Sequence, residues 1–424
     1  VPSKEDAIEG LRQLTEDIKF ENTRYQKDVI DALFRQPFSD ETRPYAENII
    51  PGKIFASDFD LGIMGEAYYD AGSEANYGGD FSAWNNGWAY RNDNVDIQNN
   101  EDPLSNGYNV GWIESDEWMQ YTLKDPTSGL YNIKVRVATE DNDGSFYFKI
   151  NDNQVTDLIN VPNTESWTNW SFINIDSLVV YDTDDKFVFQ VKTGTFNLGF
   201  FEFERIGDIN LLQTKYISSF TLSENSININ FNKNLDNTLI LNKSDFKLNI
   251  NDQENDIENV SYSSSPRSII LNFDSEIQPT DIITISYTGN SVMALDGETL
   301  INFNNEVVEN KISYIHTIPG KIEAEHYFNQ KGIELESTSD ENGGLNIGSL
   351  DNGDYADYYV KIESGDLYNV TYRSAADPNW SSGGQVELSI LDPTSGTYSS
   401  LQNVILPTTG GWQTWESTSK ALSL

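Results

Sequence analysis

Two matching stretches decide the fold: residues 107–121 read GYNVGWIESDEWMQY, and residues 344–358 read GLNIGSLDNGDYADY. They are parts of a longer repeat, because three further segments match in the same order around them. These segments are IPGKI at 50–54 and 318–322, SGLYNIKVRVA at 128–138 and SGDLYNVTYRSA at 364–375, and VPNTESWTNW at 161–170 and LPTTGGWQTW at 406–415. Self-similarity of this kind indicates two copies of one domain.

The two copies differ in length. The first copy carries about 31 additional residues before GYNVGW, among them Trp84 and Trp88, which predicts a long elaborated loop. The second copy reaches Leu424 without a counterpart of KFVFQVKTGTFNLGFFEFER at 186–205. We therefore expect the second domain to be incomplete at its C-terminal end.

The periodicity predicts a mainly β fold. From residue 50 onward, short stretches such as YNIKVRV, SFYFKI and KFVFQV alternate apolar with polar residues and are separated by turn residues. This pattern is typical of tandem β-sandwich modules such as jelly rolls. Between the copies, SININF, DFKLNI, SIILNF and ITISYTG predict a sandwich that resembles immunoglobulin-like repeats. Residues 3–19 and 24–35 have helical spacing, and Ser3 with Asp6 forms a capping-box pattern.

Four domains follow from these patterns. Residues 1–49 form a helical segment. Residues 50–207 form the first sandwich module, and residues 208–316 form the immunoglobulin-like sandwich. Residues 317–424 form the second, incomplete module.

Composition narrows the range of partners. The 424 residues carry a formal net charge of −40, with two His and no Cys. An acidic chain without cation clusters is a poor ligand for nucleic acid or an anionic membrane. Without thiols, and with few imidazoles, the plausible metal is calcium bound by oxygen atoms. The sequence also has no run of about 18 apolar residues and no secretory pattern at Val1, so we expect neither a membrane span nor an export signal in this stretch.

We find no catalytic motif in the sequence. With 67 acidic residues, pairs of carboxylates are expected everywhere and identify no glycosidase site. His316 and His326 are too few for a zinc site, and a nucleophile elbow, a phosphate loop and a dinucleotide motif are all missing. The sequence therefore favours binding over catalysis.

The tryptophans indicate what is bound. Residues three apart on a strand point to opposite faces, so Trp167 and Trp170 cannot both enter one core. The same holds for Trp412 and Trp415. One ring of each pair is expected to be exposed, where an indole face can stack on the apolar face of a sugar. Core packing is the alternative for any single ring.

Three motifs of the second copy resemble those of family 6 carbohydrate-binding modules: IPGKIEAEHY, G-x-N-I-G-x-x-D-x-G-D-Y and LPTTGGWQTW. The first copy resembles the same family through GYNVGWIESDEW, VPNTESWTNW and GTFNLGFFEFE. The resemblance implies a β-sandwich without enzymatic activity. It also implies a sugar site in the loops at one end, with two aromatic rings, an amide and a carboxylate.

Carried onto the first copy, the resemblance places the two rings at Trp112 and Trp167 and the amide at Asn197. Gln98 falls approximately at the carboxylate position, through a loose alignment. Trp118 matches an aromatic residue of a second site on the concave face, and simple packing is its alternative.

In the second copy, Trp412 matches one ring and Glu336 the carboxylate. Ser349 stands where the second ring belongs, so this cleft stacks on one side only unless Trp380 contributes. Tyr355 is the candidate for the concave-face site.

The resemblance also implies a structural calcium. Glu323 and Glu325, in an opening strand of the second copy, fit the role of its ligands. Their equivalents in the first copy are Phe55 and Ser57, so we expect that ion to be lost there. The Asp-rich insert, with Asp70, Asp80, Asp93 and Asp96, could hold a different calcium ion or be a solvated loop.

Two functions remain open. The first is non-catalytic carbohydrate binding that targets a secreted glycoside hydrolase to a neutral polysaccharide, with a β-1,4-glucan such as cellulose as the leading substrate. Xylan, laminarin and agar-type galactan are the alternatives. The cellulase-like parent is implied because residues 3–36 weakly resemble the helical tail of family 5 glycoside hydrolases. This resemblance implies that residues 1–49 are the tail of, or a linker from, a catalytic domain. The second function is that of a cell-surface adhesion or structural protein. In either case we expect an extracellular monomer.

Overall fold

The computed structural model describes residues 3–23, 25–71, 85, 87, 89–341, 343–379, 382–392 and 397–424. Trp84, Trp88, Trp380 and Asp80 lie outside these residues. The chain divides into two compact units. The first comprises Val1–Asp274 and Ile283–Glu309, and the second comprises Ser275–Ile282 and Asn310–Leu424. In the part of the chain that the structure describes, no helix has the length and apolarity needed to cross a membrane.

The first module is a β-sandwich of two sheets. One sheet has the order β10–β6–β12–β4–β3, with β1 also paired to β12, and the other has the order β2–β5–β11–β7–β8, with β9 on β7. The strands are β1 (Gly52–Phe55), β2 (Tyr68–Tyr69), β3 (Ile97–Asn99), β4 (Tyr108–Val110), β5 (Trp118–Thr122), β6 (Gly129–Thr139), β7 (Ser145–Ile150), β8 (Asn153–Gln154), β9 (Ile159–Asn160), β10 (Ser166–Val180), β11 (Lys186–Thr193) and β12 (Asn197–Gly207).

The core of this module is aromatic, because β7, β11 and β12 carry phenylalanine at alternate positions. Phe146, Phe148, Phe187, Phe189 and Phe201 are all fully buried. Their ring centroids lie 4.7 to 6.1 Å apart in tilted or edge-on arrangements. β12 is an internal strand of the first sheet and β11 is an internal strand of the second. The aromatic core therefore lies between central strands of both sheets.

The N-terminal segment forms two helices, α1 (Lys4–Asp17) and α2 (Lys27–Phe34). The predicted capping box is confirmed, since Ser3 accepts a bond from the Asp6 amide and Asp6 accepts one from the Ser3 amide. Asp28 of α2 accepts hydrogen bonds from the backbone and side-chain amides of Asn92 in the first module. The helix α2 therefore packs on the first module.

The middle domain consists of two four-stranded antiparallel sheets, β13–β14–β18–β17 and β16–β15–β19–β20. Its immunoglobulin-like classification stays a prediction. The strands are β13 (Tyr216–Ser223), β14 (Ser226–Phe231), β15 (Phe246–Ile250), β16 (Gln253–Asn255), β17 (Ile257–Tyr262), β18 (Ser268–Phe273), β19 (Ile283–Tyr287) and β20 (Phe303–Val307). Together with the sandwich of the first module, these sheets confirm a mainly β fold.

The second unit contains five two-stranded sheets: β21–β26, β22–β25, β23–β24, β27–β30 and β28–β29. Their strands are β21 (Ile315–Ile318), β22 (Asn329–Lys331), β23 (Glu334–Ser337), β24 (Leu345–Gly348), β25 (Tyr355–Asp357), β26 (Tyr359–Ile362), β27 (Leu367–Ala376), β28 (Gly384–Asp392), β29 (Thr397–Leu406) and β30 (Gly411–Ser423). The pair β27–β30 corresponds to β6–β10 of the first module.

Candidate functional site

Trp112 projects from the loop that follows β4. It is 52% exposed, and its backbone φ is +49°, in the left-handed region that bulky residues rarely adopt. Such a conformation persists only where the surrounding structure holds it, and it is often found at functional positions. Trp112 is therefore an indole held on the surface by its backbone.

Trp167 lies at the start of β10 and is 36% exposed. Trp170, three residues further on, packs instead beside Gly199 of β12, since a Cβ built there would lie 3.3 Å from the Trp170 ring. The two rings of this W-x-x-W pair thus have different surroundings, as their spacing predicts. Trp167 is the ring that is available to a ligand.

Asn197 joins these two tryptophans at one end of the sandwich. Its side-chain amide donates a 2.8 Å hydrogen bond to the Trp167 carbonyl oxygen. A Cβ at Gly111, directly before Trp112, would lie 2.8 Å from Asn197 Oδ1. Asn197 is only 4% exposed, so it positions the backbone beside both rings. Its predicted role as the amide that binds sugar hydroxyls stays a prediction.

Strand register supports the position of Gln98. Gln98 on β3 pairs with Asn109 on β4, and Glu336 on β23 pairs with Asn346 on β24. Asn109 and Asn346 occupy the same position in GYNVG and GLNIG. Gln98 and Glu336 are thus equivalent, and Gln98 lies beside Gly111, whose built Cβ is 3.5 Å from Gln98 Nε2.

The sequence motifs alone do not identify the repeated asparagine, Asn109 or Asn346, as a site residue. Asn109 is buried and donates to the Val110 carbonyl oxygen, and Asn346 donates in the same way to the Ile347 carbonyl oxygen, each at 3.1 Å. Both amides support the loop that presents position 112 or 349. Their identical place in the two copies was the signal that could have revealed them.

Glu117, which lies between Trp112 and Trp118 in the sequence, has a buried carboxyl group. Burial, together with the charges of Asp70 and Glu114, raises the pKa of Glu117 to about 10. The Ala71 backbone amide donates to this carboxyl group at 3.3 Å. At neutral pH Glu117 is therefore uncharged, and it adds no negative charge to this part of the module.

Trp118, the first residue of β5, lies on the outer face of the second sheet. Strand register places it in one row with Tyr69, Gln190 and Tyr147. Gln190 is held by Lys149, whose ammonium group donates to Gln190 Oε1 at 2.9 Å. The row is an aromatic–amide–aromatic surface, which suits either sugar stacking or packing, so both interpretations of Trp118 stay open.

The second unit assembles a reduced version of the cleft. Ser349 has φ +57°, close to the value at Trp112, but it offers a hydroxyl group where the first module has an indole. Glu336 accepts a bond from Asn346 at 2.9 Å, and Gln413 beside Trp412 donates to Asn346 at 3.3 Å. Trp412 is exposed at the start of β30, whereas Tyr355 lies apart on β25.

The predicted calcium ligands lie outside any strand. β21 ends at Ile318 and β22 begins at Asn329, so the opening strand expected at Glu323 and Glu325 is not formed. Glu323 instead accepts a 2.5 Å bond from Lys321, and the described residues contain no group of three acidic or His side chains suited to a metal. The assignment of Glu323 and Glu325 as calcium ligands stays a prediction.

A two-sheet sandwich that exposes indole rings beside buried amides at one end is a lectin-like, ligand-binding domain. The model of the family described as "Carbohydrate binding module (family 6)" matches residues 89–205 and 323–424, just over half of the chain. The chain therefore belongs to this family, and its function is to bind carbohydrate. The predicted resemblance is confirmed for both copies.

Individual relatives cover smaller parts of the chain. The clotting factor G alpha subunit of Tachypleus tridentatus is 33% identical over 104 residues, which are 24% of this chain and 14% of that protein. The family 6 module of Cellvibrio mixtus lichenase 5A, solved with cellotriose, is 25% identical; the match covers 26% of this chain and 87% of that chain, with a TM-score of 0.24. The C-terminal family 6 module of a Zobellia galactanivorans laminarinase is 26% identical; it covers 26% of this chain and 88% of that chain, with a TM-score of 0.24.

Proposed function

We propose that this chain holds a secreted glycoside hydrolase on a neutral polysaccharide through the cleft of its first module. The observation that carries the proposal is that two exposed indoles, Trp112 and Trp167, lie on either side of Asn197, which bonds the Trp167 carbonyl oxygen and packs beside Gly111. Planar rings stack on the apolar faces of pyranose rings, and amides bind hydroxyl groups.

The charge distribution favours a neutral ligand. The side chains that lie beside Gly111 are the uncharged amides of Gln98, Asn109 and Asn197, and the two rings are uncharged indoles. The whole chain carries −40, so an anionic polysaccharide such as alginate would be repelled. We infer a β-1,4-glucan such as cellulose as the ligand, with xylan, laminarin and agar-type galactans as alternatives.

The second unit adds a weaker contact. With Trp412 but no ring at position 349, it can stack on one side of a sugar only. A weak second site on the same chain still raises residence on a multivalent surface, because the second binding event is intramolecular. This suits an extracellular enzyme acting on an insoluble polysaccharide, with the catalytic domain as a further part of the same protein.

Affinity electrophoresis in gels containing hydroxyethylcellulose, xylan, laminarin, agar or alginate tests the proposal. We expect hydroxyethylcellulose to retard the wild type most and alginate not to retard it. Loss of a central tryptophan commonly costs about 2 kcal/mol or more, so Trp167→Ala should lower the affinity by well over tenfold. Trp412→Ala is the matched control in the second repeat and should keep most of the retardation.

Other outcomes have clear meanings. If no gel retards the wild type, the targeting function fails and an adhesion or structural role is favoured. If Trp167→Ala migrates as slowly as the wild type, the cleft has been assigned to the wrong residues. Strongest retardation by xylan, laminarin or agar would keep the cleft and replace the substrate.

A further inference from the structure

Arg267 of the middle domain is a buried cation whose partners belong largely to the first module. It is 1% exposed. Its guanidinium donates to the Asp184 carboxylate at 2.5 Å and to the Val179 carbonyl oxygen at 3.1 Å, and both residues lie in the first module. The remaining bond, from Nε, goes to Asn234 of the middle domain at 3.1 Å. The middle domain thus inserts a positive charge into the surface of the first module.

The first module is built to receive this charge. Asp184 is also buried, and it accepts a 2.8 Å bond from the Tyr181 amide and a 3.3 Å bond from Asn151. The Tyr181 ring lies 5.2 Å from the Arg267 guanidinium carbon, and its hydroxyl oxygen accepts a bond from the Asn234 backbone amide. Arginine suits this role, because its planar fork can satisfy a carboxylate, a carbonyl and an amide at once.

We refer to Arg267, Asp184, Tyr181 and Asn234 together as the clamp. Further contacts accompany the clamp along the same side of the first module. Ser265 donates to Asn153 at 2.5 Å, and Lys215 lies 3.8 Å from Asp157. At the other end of β11, Lys192 lies 3.2 Å from Glu309. Asp184 and Lys192 are eight residues apart, which corresponds to about 26 Å of extended chain. Contacts that far apart prevent the middle domain from turning about a single point.

We propose that the first module and the middle domain form one cooperative, rigid unit closed by the Arg267–Asp184 clamp, so that the middle domain is not a flexible spacer. The first module and most of the middle domain, up to Asp274 and from Ile283 to Glu309, also fall within the same compact unit. The clamp touches the C-terminal end of β10, whereas Trp167 stands at the start of that strand, 12 residues or about 40 Å away.

Hydrogen exchange of the full chain, measured by mass spectrometry, tests this coupling. Val135→Ala weakens the first module alone, because Val135 is fully buried in β6. If the two domains unfold together, the slowest amides of β14 in the middle domain should exchange faster by the same factor as those of β6. We expect that factor to be at least tenfold for a substitution of this kind. Exchange in β27 of the second unit should not change.

Breaking the clamp should separate the two domains. In Val135→Ala combined with Arg267→Met, the amides of β6 should still exchange faster, while those of β14 should no longer follow the same factor. If Val135→Ala accelerates β6 and leaves β14 unchanged, the domains are independent and the proposal is wrong. Ile133→Val, a milder change in the same strand, repeats the test if Val135→Ala does not fold, and Asp184→Asn replaces Arg267→Met in the same way.

Discussion

Gly111 offers the sharpest test of the cleft geometry. A methyl group at this position would lie 2.8 Å from Asn197 Oδ1, 3.5 Å from Gln98 Nε2 and 3.7 Å from Asn109 Nδ2. The first of these distances is too short for carbon and oxygen, so Gly111→Ala must displace Asn197. Asn197 is buried and bonded to the Trp167 carbonyl oxygen, so it cannot move into solvent without losing that bond.

The cost can be estimated from these contacts. Overpacking of a buried site costs about 1–3 kcal/mol, and a broken bond to a buried carbonyl falls in the same range. A loss of about 2 kcal/mol lowers the melting temperature of a domain of about 150–250 residues by roughly 4–8 °C, and less for a larger cooperative unit, so we expect a fall of a few degrees here. Because Asn197 supports the backbone of Trp167, the sugar affinity should fall about tenfold in addition.

The second repeat supplies the matched control. A methyl group at Gly348 would lie 2.6 Å from Glu336 Oε1, but that atom is the end of an exposed, flexible side chain. Gly348→Ala should therefore leave both melting and binding close to the wild type. Differential scanning calorimetry and isothermal titration with a soluble oligosaccharide measure the two effects. If Gly111→Ala melts and binds as the wild type does, the interlocking of Gly111, Asn197 and Trp167 is refuted.

Three further predictions concern charge and stacking. The pKa of Glu117 is raised to about 10 in the folded protein, so ionisation of this group favours the unfolded chain. Its neutral form costs no unfolding free energy below pH 4.5, and the protein loses stability as the pH rises from there toward 10. The stability of Glu117→Gln relative to the wild type should consequently rise by up to about 1.4 kcal/mol per pH unit between pH 5 and 9, measured by urea unfolding at each pH. A difference in unfolding free energy that stays constant over this pH range would contradict the prediction. Ser349→Trp, on a backbone that already has the φ of Trp112, should strengthen oligosaccharide binding by the second unit about tenfold, measured by titration in a Trp167→Ala background; a gain that survives Trp412→Ala would show that the new ring acts alone. Trp118→Ala should leave binding at the Trp112–Trp167 cleft unchanged in the same titration, because it lies in a row on the outer face of the other sheet.

Local patterns predicted much of this molecule. Alternation in KFVFQV and SFYFKI indicates strands with phenylalanine on one face, and these strands form the core as predicted. The family motif led to Trp112, Trp167 and Asn197, which the fold brings to one end of the sandwich. Such features lie within short segments, where periodicity and composition determine the outcome.

Features that depend on distant segments could not be predicted. Arg267 and Asp184 are 83 residues apart, and no pattern around either residue indicates the other. Strand pairing between distant segments is equally hidden in the sequence. In the first module β1 pairs with β12, about 150 residues further along the chain.

Comparison of the two repeats distinguishes the backbone arrangement around positions 112 and 349, here called the frame, from the affinity of the site for sugar. Trp112 and Ser349 share a left-handed backbone, follow a glycine, and stand beside an asparagine that donates to the same carbonyl position. The frame therefore does not depend on the side chain that it carries, and G-x-N-x-G with its cross-strand partner is sufficient to form it. Whether the frame stacks on a sugar then depends on one residue. For this reason we assign the principal binding site to the first module and a supporting role to the second.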